Sequence, residues 1–298
     1  MNKMKILIAY DGSDHAGAVL DDLKQAGLPP QADAVVLSVY EHWLPVPSSF
    51  AEIEPGRLSE QSNEDRDPLV MAMRAAGFVM SSFHDWDVRA ETAVGSPASV
   101  IVQKADEWRP DLIVVGSHGR SALDRFFLGS VSQSVLHSAR CSVRVARGRL
   151  EEPGTPVRLI VGVDGSKGAE AAINAVAERH WPPGSEARLV NGSWAVQQFV
   201  SEQMVVDLED WIAAENVRVK EVIAASTLRL QAAGLTVSTL VRKEEPKHLL
   251  VSEAEAWGAN CIFVGARGMG TLERLLLGSV SSAVAARAHC SVEVVRAQ

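Results

Sequence analysis

The stretch GSHGRSALDRFFLGSVS, Gly116 to Ser132, returns as GARGMGTLERLLLGSVS, Gly265 to Ser281. Both read Gly, two residues, Gly, nine residues, then Gly-Ser-Val-Ser, and both follow a short apolar run. A spacing this long, kept in two segments that otherwise differ, marks a duplicated unit. The duplication extends outward. KILIAYDGSDHAGAVL near the start matches RLIVGVDGSKGAEAAI, so Asp11 corresponds to Asp164. The offset is 153 residues there and 149 at the glycine motifs, so the second copy is shorter in between. A segment rich in Gly, Pro and charge, Gly148 to Pro156, reads as the linker and places the domains at 1–152 and 153–298.

Within the first copy, Ile6 to Ala9, Val35 to Val39 and Leu112 to Val115 are nearly continuous apolar runs, as in strands buried on both faces of a parallel sheet. Val88, Ala90, Thr92 and Val94 alternate with Arg89 and Glu91, which suits a strand near a sheet edge. Ser142 to Arg147 suits a last, edge strand, and Pro97 to Trp108 a helix between strands. Alternating strands and helices predict an α/β fold: two tandem open five-stranded parallel sheets flanked by helices, each in the order 3-2-1-4-5. That order puts Asp11, ending the first strand, beside Gly116, ending the fourth, at the topological switch point.

Residue chemistry there suits a phosphate. Gly116 and Gly119 let main chain approach a ligand where a Cβ would intrude. Gly129-Ser130-Val131-Ser132 opens a helix, with Ser130 expected as N-cap and Gln133 completing a capping box. Its first turn offers unpaired N–H groups and the positive end of the helix dipole. Arg120 and Arg125 stand in the loop between. Asp11-Gly12-Ser13 also reads as an Asx turn with Ser13 capping the next helix. No P-loop, dinucleotide fingerprint or Gly-x-Ser-x-Gly elbow competes. His118 reads as a solvated loop residue, since its counterpart is Arg267.

Composition narrows the partners. The chain has 298 residues, 47% hydrophobic and 22% charged, with a net charge of −8. That sign argues against nucleic acid, whose affinity comes from Lys and Arg on phosphates. No apolar run approaches the ~20 residues of a membrane span. The start, MNKMKILIAYDGS, lacks the pattern of a secretory leader. Cys141, Cys261 and Cys290 form neither a disulfide framework nor a metal motif. These features point to the cytoplasm.

On these motifs the chain resembles the universal stress protein family in its tandem two-domain form, over nearly its whole length. The resemblance implies ATP, or another adenine nucleotide, held at the switch point with Mg2+ or Mn2+ carried by the phosphates. It implies that Asp11 and Val39 contact adenine, that Gly116 and Gly119 lie along ribose and phosphate, and that Gly129, Ser130, Val131 and Ser132 hold the phosphates. Gly95 leaves space near the sugar. In the second copy Asp164, Gly265, Gly268, Gly278, Ser279, Val280 and Ser281 match. Gly192, however, replaces Val39, and Lys243-Glu244-Glu245 replaces Val94-Gly95-Ser96. A carboxylate ~4 Å from a phosphate charge costs about 4 kcal/mol at an effective dielectric of ~20. The first site is therefore expected to be the better one, the second weak, altered or empty. The resemblance also pairs the last strands, Ser142 to Arg147 and Ser291 to Arg296, into an intramolecular pseudo-dimer, and leaves further homodimerisation open. It implies a regulatory stress-response role acting through a protein partner. Two readings compete: a slow ATPase with Asp124 or Glu273 as the acidic group, and a scaffold that binds no nucleotide.

Overall fold

The computed structural model describes residues 3–40, 67–117, 128–147, 154–192, 205–268 and 277–297. Gly119, His118, Arg120, Asp124, Arg125, Glu273, the linker around Glu152 and nearly all of the insert from His42 to Asp67 lie outside these residues.

The first half runs β1 (Met4–Ala9), α1 (Asp14–Lys24), β2 (Ala32–Tyr40), α2 (Pro68–Ser82), β3 (Asp87–Val94), α3 (Pro97–Trp108), β4 (Leu112–Gly116), α4 (Ser130–Ser138) and β5 (Ser142–Ala146). The second runs β6 (Arg158–Gly162), α5 (Lys167–Ala177), β7 (Glu186–Gly192), α6 (Val205–Ala232), β8 (Thr236–Arg242), α7 (Pro246–Trp257), β9 (Cys261–Gly265), α8 (Ser279–Arg287) and β10 (Ser291–Val295). Each half has the expected strand order, but the two sheets are one: a ten-stranded sheet, β3-β2-β1-β4-β5-β10-β9-β6-β7-β8. Every pairing is parallel except the central one, where β5 and β10 run antiparallel with Arg144 opposite Glu293. The strand that would be an edge in each half is thus covered by the other half, which removes two edges open to association. The half-exposed strands, β3 and β8, take the outer positions.

The two faces of this sheet are built differently. Along β5 and β10, Val143, Val145, Val292 and Val294 point to one face and join a continuous apolar core that runs through both halves, from Leu7 and Ile113 to Ile160 and Ile262. On the other face two cores remain separate, one around Ile6, Val36 and Leu112, the other around Leu159, Leu189 and Phe263. The seam between them is ionic. Arg144 donates to both oxygens of Asp22, from Nε at 2.5 Å and Nη2 at 3.0 Å, and to Glu293 at 3.3 Å. Arg179 also pairs with Glu293, and the Ser291 hydroxyl donates to Asp22 at 2.5 Å. Two cations meet two anions, each at most 7% exposed as a side chain. Burial by itself would weaken the charge on Arg144. The charge of Asp22, its hydrogen bonds and the charge of Glu293, acting with the other groups around the guanidinium, together outweigh that and hold its pKa well above the ordinary arginine value.

Trp181 closes the seam. Gly27 adopts φ +61, and a Cβ there would lie 2.8 Å from the Trp181 ring. The Arg179 guanidinium donates to Ala26 O at 2.8 Å, and His180 N–H to Gly27 O at 2.9 Å. Among the described residues, no helix is long and apolar enough to cross a membrane.

Candidate functional site

The first crevice forms where β1 and β4 lie side by side, paired from Ile6–Leu112 to Ile8–Val114. Chain leaves β1 toward α1 on one side and leaves β4 toward α4 on the other, so the carboxyl ends of these strands diverge around a gap. Asp11 stands just past β1. Its Oδ1 accepts from Ser13 N–H at 3.0 Å and the Ser13 hydroxyl at 2.7 Å, the expected Asx turn. Gly12 completes it at φ +72, a conformation that favours glycine. Next along the sheet, half-buried Val39 is the penultimate residue of β2, and Gly95 follows β3, its N–H donating to Tyr40 O at 2.9 Å. Gly95 sits at φ +145, again a glycine conformation.

Beyond β4 the loop is closed at its neck, because Gly129 N–H donates to Ser117 O at 2.8 Å. Gly129, not Ser130, is the N-cap of α4, at φ −61 and ψ 151, and no side chain caps the helix. This corrects the capping-box expectation. Ser130 is already the first helical residue, so its hydroxyl cannot serve the N-cap role. Ser132 is buried and donates its hydroxyl to Gly116 O at 2.5 Å, fastening the start of α4 to the end of β4. Among the described residues no side chain caps the first-turn N–H groups of α4, the arrangement an incoming anion would use. Asp11, Val39, Gly95, Gly116, Gly129, Ser130, Val131 and Ser132 therefore gather at one end of one sheet. Gly119 lies outside the described residues.

The second crevice repeats this frame. Asp164 Oδ1 accepts from Ser166 N–H at 2.9 Å, Gly165 adopts φ +74, Gly278 N–H donates to Ala266 O at 2.8 Å and the Ser281 hydroxyl to Gly265 O at 2.6 Å. Gly278 caps α8, again without a side chain, ahead of Ser279 and Val280. Yet the space between these parts is closed by main chain. A Cβ on Gly265 would lie 2.2 Å from Gly168 C, and one on Gly168 would lie 2.2 Å from Arg267 O. The start of α5 therefore rests directly on the end of β9, and Ser166 reinforces the contact through Arg267 O at 3.3 Å. Gly268 leaves no more room: a Cβ there would lie 2.6 Å from the Asp164 carboxylate. In the first half the position of Gly168 is His15. Real Cβ atoms do not tolerate a 2.2 Å contact with backbone, so glycine at 168 is what permits this close approach in the second half.

The base-side pocket is closed as well. A Cβ on Gly192 would lie 2.8 Å from Glu244 O and 2.9 Å from Pro246 Cα. The cause lies in the loop. Gly95 of the first half uses φ +145, whereas its counterpart Glu244 is not among the residues with positive φ. The turn after β8 brings the main chain of Glu244 and Pro246 against Gly192, at the position matched by Val39 in the first half. The Glu244 substitution was legible as a charge; its effect on the main chain was not. Restoring the first-half residue by Gly192→Val should drive a side chain into this backbone. The expected cost is about 1–3 kcal/mol of stability in urea unfolding, without any gain in nucleotide binding.

The cysteines are free thiols; Cys261 and Cys290 are buried. Burial raises the Cys141 pKa to about 11 and pushes that of Cys261 higher still, so neither is a thiolate at neutral pH. Tyr10, beside Asp11, is also held above its usual pKa, first by burial and then by the Asp11 charge. The acidic candidates of the ATPase reading, Asp124 and Glu273, lie outside the described residues.

Comparison with known proteins agrees with this frame. The model of the universal stress protein family matches residues 3–147 and again 157–296. A universal stress protein of Mycobacterium tuberculosis is 30% identical over 243 residues, covering 79% of this chain and 78% of that protein. One of Synechocystis is 31% identical over 157 residues, 48% of this chain but 97% of that shorter protein. Among solved structures, a universal stress protein from Archaeoglobus fulgidus shares the fold at a TM-score of 0.60 and 21% identity, over 98% of this chain and 96% of that one. Since the family pattern spans each half and the relatives match at both one-domain and two-domain length, the chain belongs to the universal stress protein family, as a tandem of two such domains.

Proposed function

We propose that the chain binds one adenine nucleotide, ATP in the first instance, in the first crevice, and serves as a nucleotide-responsive stress protein of the cytoplasm. The observation that carries this reading is the contrast between two halves of one design. Both keep a helix start with no side-chain cap, and in the second half main chain of Gly168 and Arg267 packs into the gap; we take the first half, where His15 stands in place of Gly168, as the wider one. Asp11 and Val39 would take the base, with Gly95 beside the sugar. Gly116 and Gly119 would lie along ribose and phosphate, and the start of α4, Gly129 to Ser132, would hold the phosphates. Mg2+ or Mn2+ would be carried by the phosphate oxygens. Matching residues of the second crevice, Asp164, Gly265, Gly268, Gly278, Ser279, Val280 and Ser281, serve its packing instead. The output is regulatory. Nucleotide in the first crevice alters the surface offered to a protein partner, to the extent that it binds one state better than another.

The test is a count. The purified chain is saturated with Mg-ATP, freed of excess and denatured, and the released nucleotide is identified by mass and quantified. One adenine nucleotide per chain is expected. Two would show that the main-chain contacts at Gly168 and Gly192 yield to ligand, and none at millimolar Mg-ATP would overturn nucleotide binding.

A further inference from the structure

We infer that the second half completes the first nucleotide site by bracing the phosphate helix from behind, and that Arg296 is the positioning residue that does so. The inference rests on the nucleotide reading above. Helix α4 has nine residues and so extends about 13 Å. Its start is fastened to its own half by Ser132 on Gly116 O. Its other end turns its unpaired carbonyls toward the second half. There the Arg296 guanidinium, just past β10, donates from Nη2 to Leu136 O at 2.8 Å. The Arg296 main chain is fixed in turn, its N–H donating to the Ser142 hydroxyl at 3.2 Å across the central strand pair.

The same arrangement occurs in the opposite direction. Arg147 N–H donates to the Ser291 hydroxyl at 2.8 Å, and its Nη2 reaches Ala285 O in the last turn of α8 at 2.6 Å. Arg147 and Arg296, Ser142 and Ser291, and Leu136 and Ala285 are each related by the 149-residue offset of the repeat. An accidental contact would not recur in both senses. A cation at the carbonyl end of a helix also opposes the negative end of the dipole whose positive end faces the crevice. At that distance its direct pull on a phosphate is weak, so its effect comes from holding the helix in place. Arg147 braces α8, which starts at the second crevice, whereas Arg296 braces α4, which starts at the first. The second half thus contributes to nucleotide binding without holding a nucleotide.

The test uses the full chain and titration calorimetry with two ligands, Mg-ATP and adenosine. Arg296→Ala should weaken ATP about tenfold while leaving adenosine within about twofold, because only the phosphates meet α4. Arg296→Lys should recover most of the loss, and Arg147→Ala should leave both ligands unchanged. ATP bound by Arg296→Ala as tightly as by the unsubstituted chain would overturn the inference, as would equal weakening of ATP and adenosine. If Arg296→Ala does not fold, Arg296→Gln is read by the same ratio. A failure of the unsubstituted chain to bind ATP would overturn the nucleotide reading itself and this inference with it.

Discussion

Replacing Arg144 by alanine is expected to remove about 3–5 kcal/mol of stability. The reason is what it leaves behind. Glu293 on β10 keeps its pairing with Arg179, whereas Asp22 on α1 is left with the Ser291 hydroxyl and no cation among the described residues, and both residues are buried. A buried ion pair need not stabilise a fold relative to an apolar replacement, but removing one partner exposes the full desolvation penalty of the other. The double substitution Arg144→Met with Asp22→Asn should therefore be less harmful than Arg144→Ala alone. Urea unfolding of the two variants and the parent checks this. A loss below about 1 kcal/mol for Arg144→Ala would mean that water or neighbouring groups already compensate the seam. The effect should be felt across both halves, because Arg144 and Asp22 belong to the first and Glu293 and Arg179 to the second. A single cooperative transition should become two if the seam is what couples them.

The second large effect concerns ligand rather than stability. Gly129→Asp should reduce ATP affinity at least about a hundredfold while leaving unfolding within about 1 kcal/mol of the parent. The N-cap backbone, φ −61 and ψ 151, is open to any residue, and aspartate is a preferred cap. Its carboxylate would satisfy the first-turn N–H groups and stand where the phosphates are proposed to sit. A charge pair at ~4 Å costs about 4 kcal/mol at an effective dielectric of ~20, well over the ~2.7 kcal/mol of a hundredfold change. Geometry at the matching cap in the second half shows how small the steric demand is: a Cβ on Gly278 would lie 3.2 Å from Ala266 O, close but relieved by a shift of a few tenths of an ångström. Gly278→Asp is the control and should leave ATP binding unchanged. Calorimetric titration with Mg-ATP and thermal unfolding without ligand separate the two quantities. Equal ATP affinity in Gly129→Asp would exclude the start of α4 from the site.

Much of this protein could be read from the order of its residues. The repeat, the apolar strand runs and the Asx turns at Asp11 and Asp164 are local patterns, set by side-chain periodicity and by backbone preferences of neighbours. From them follow the strand order, the switch point and the gathering of Asp11, Val39, Gly95, Gly116 and Gly129 at one end of the sheet. Pairing of β5 with β10 followed from the resemblance to the family. The ionic seam left a trace that went unread: Arg144 and Glu293 occupy the same place in matching Val-x-Val runs, with opposite charge. Asp22 and Arg179, from helices far away in sequence, carried no such mark. What only the tertiary structure decided is that main chain packs into the second crevice. Gly116 and Gly265 look alike in sequence, because a glycine is needed whether a ligand or another segment of backbone approaches. Which of the two comes close depends on Gly168 and Glu244, whose effect is exerted through the path of main chain about 100 and 50 residues away, at Gly265 and Gly192. Local sequence sets backbone conformation; the distance between two backbones is set by everything packed around them.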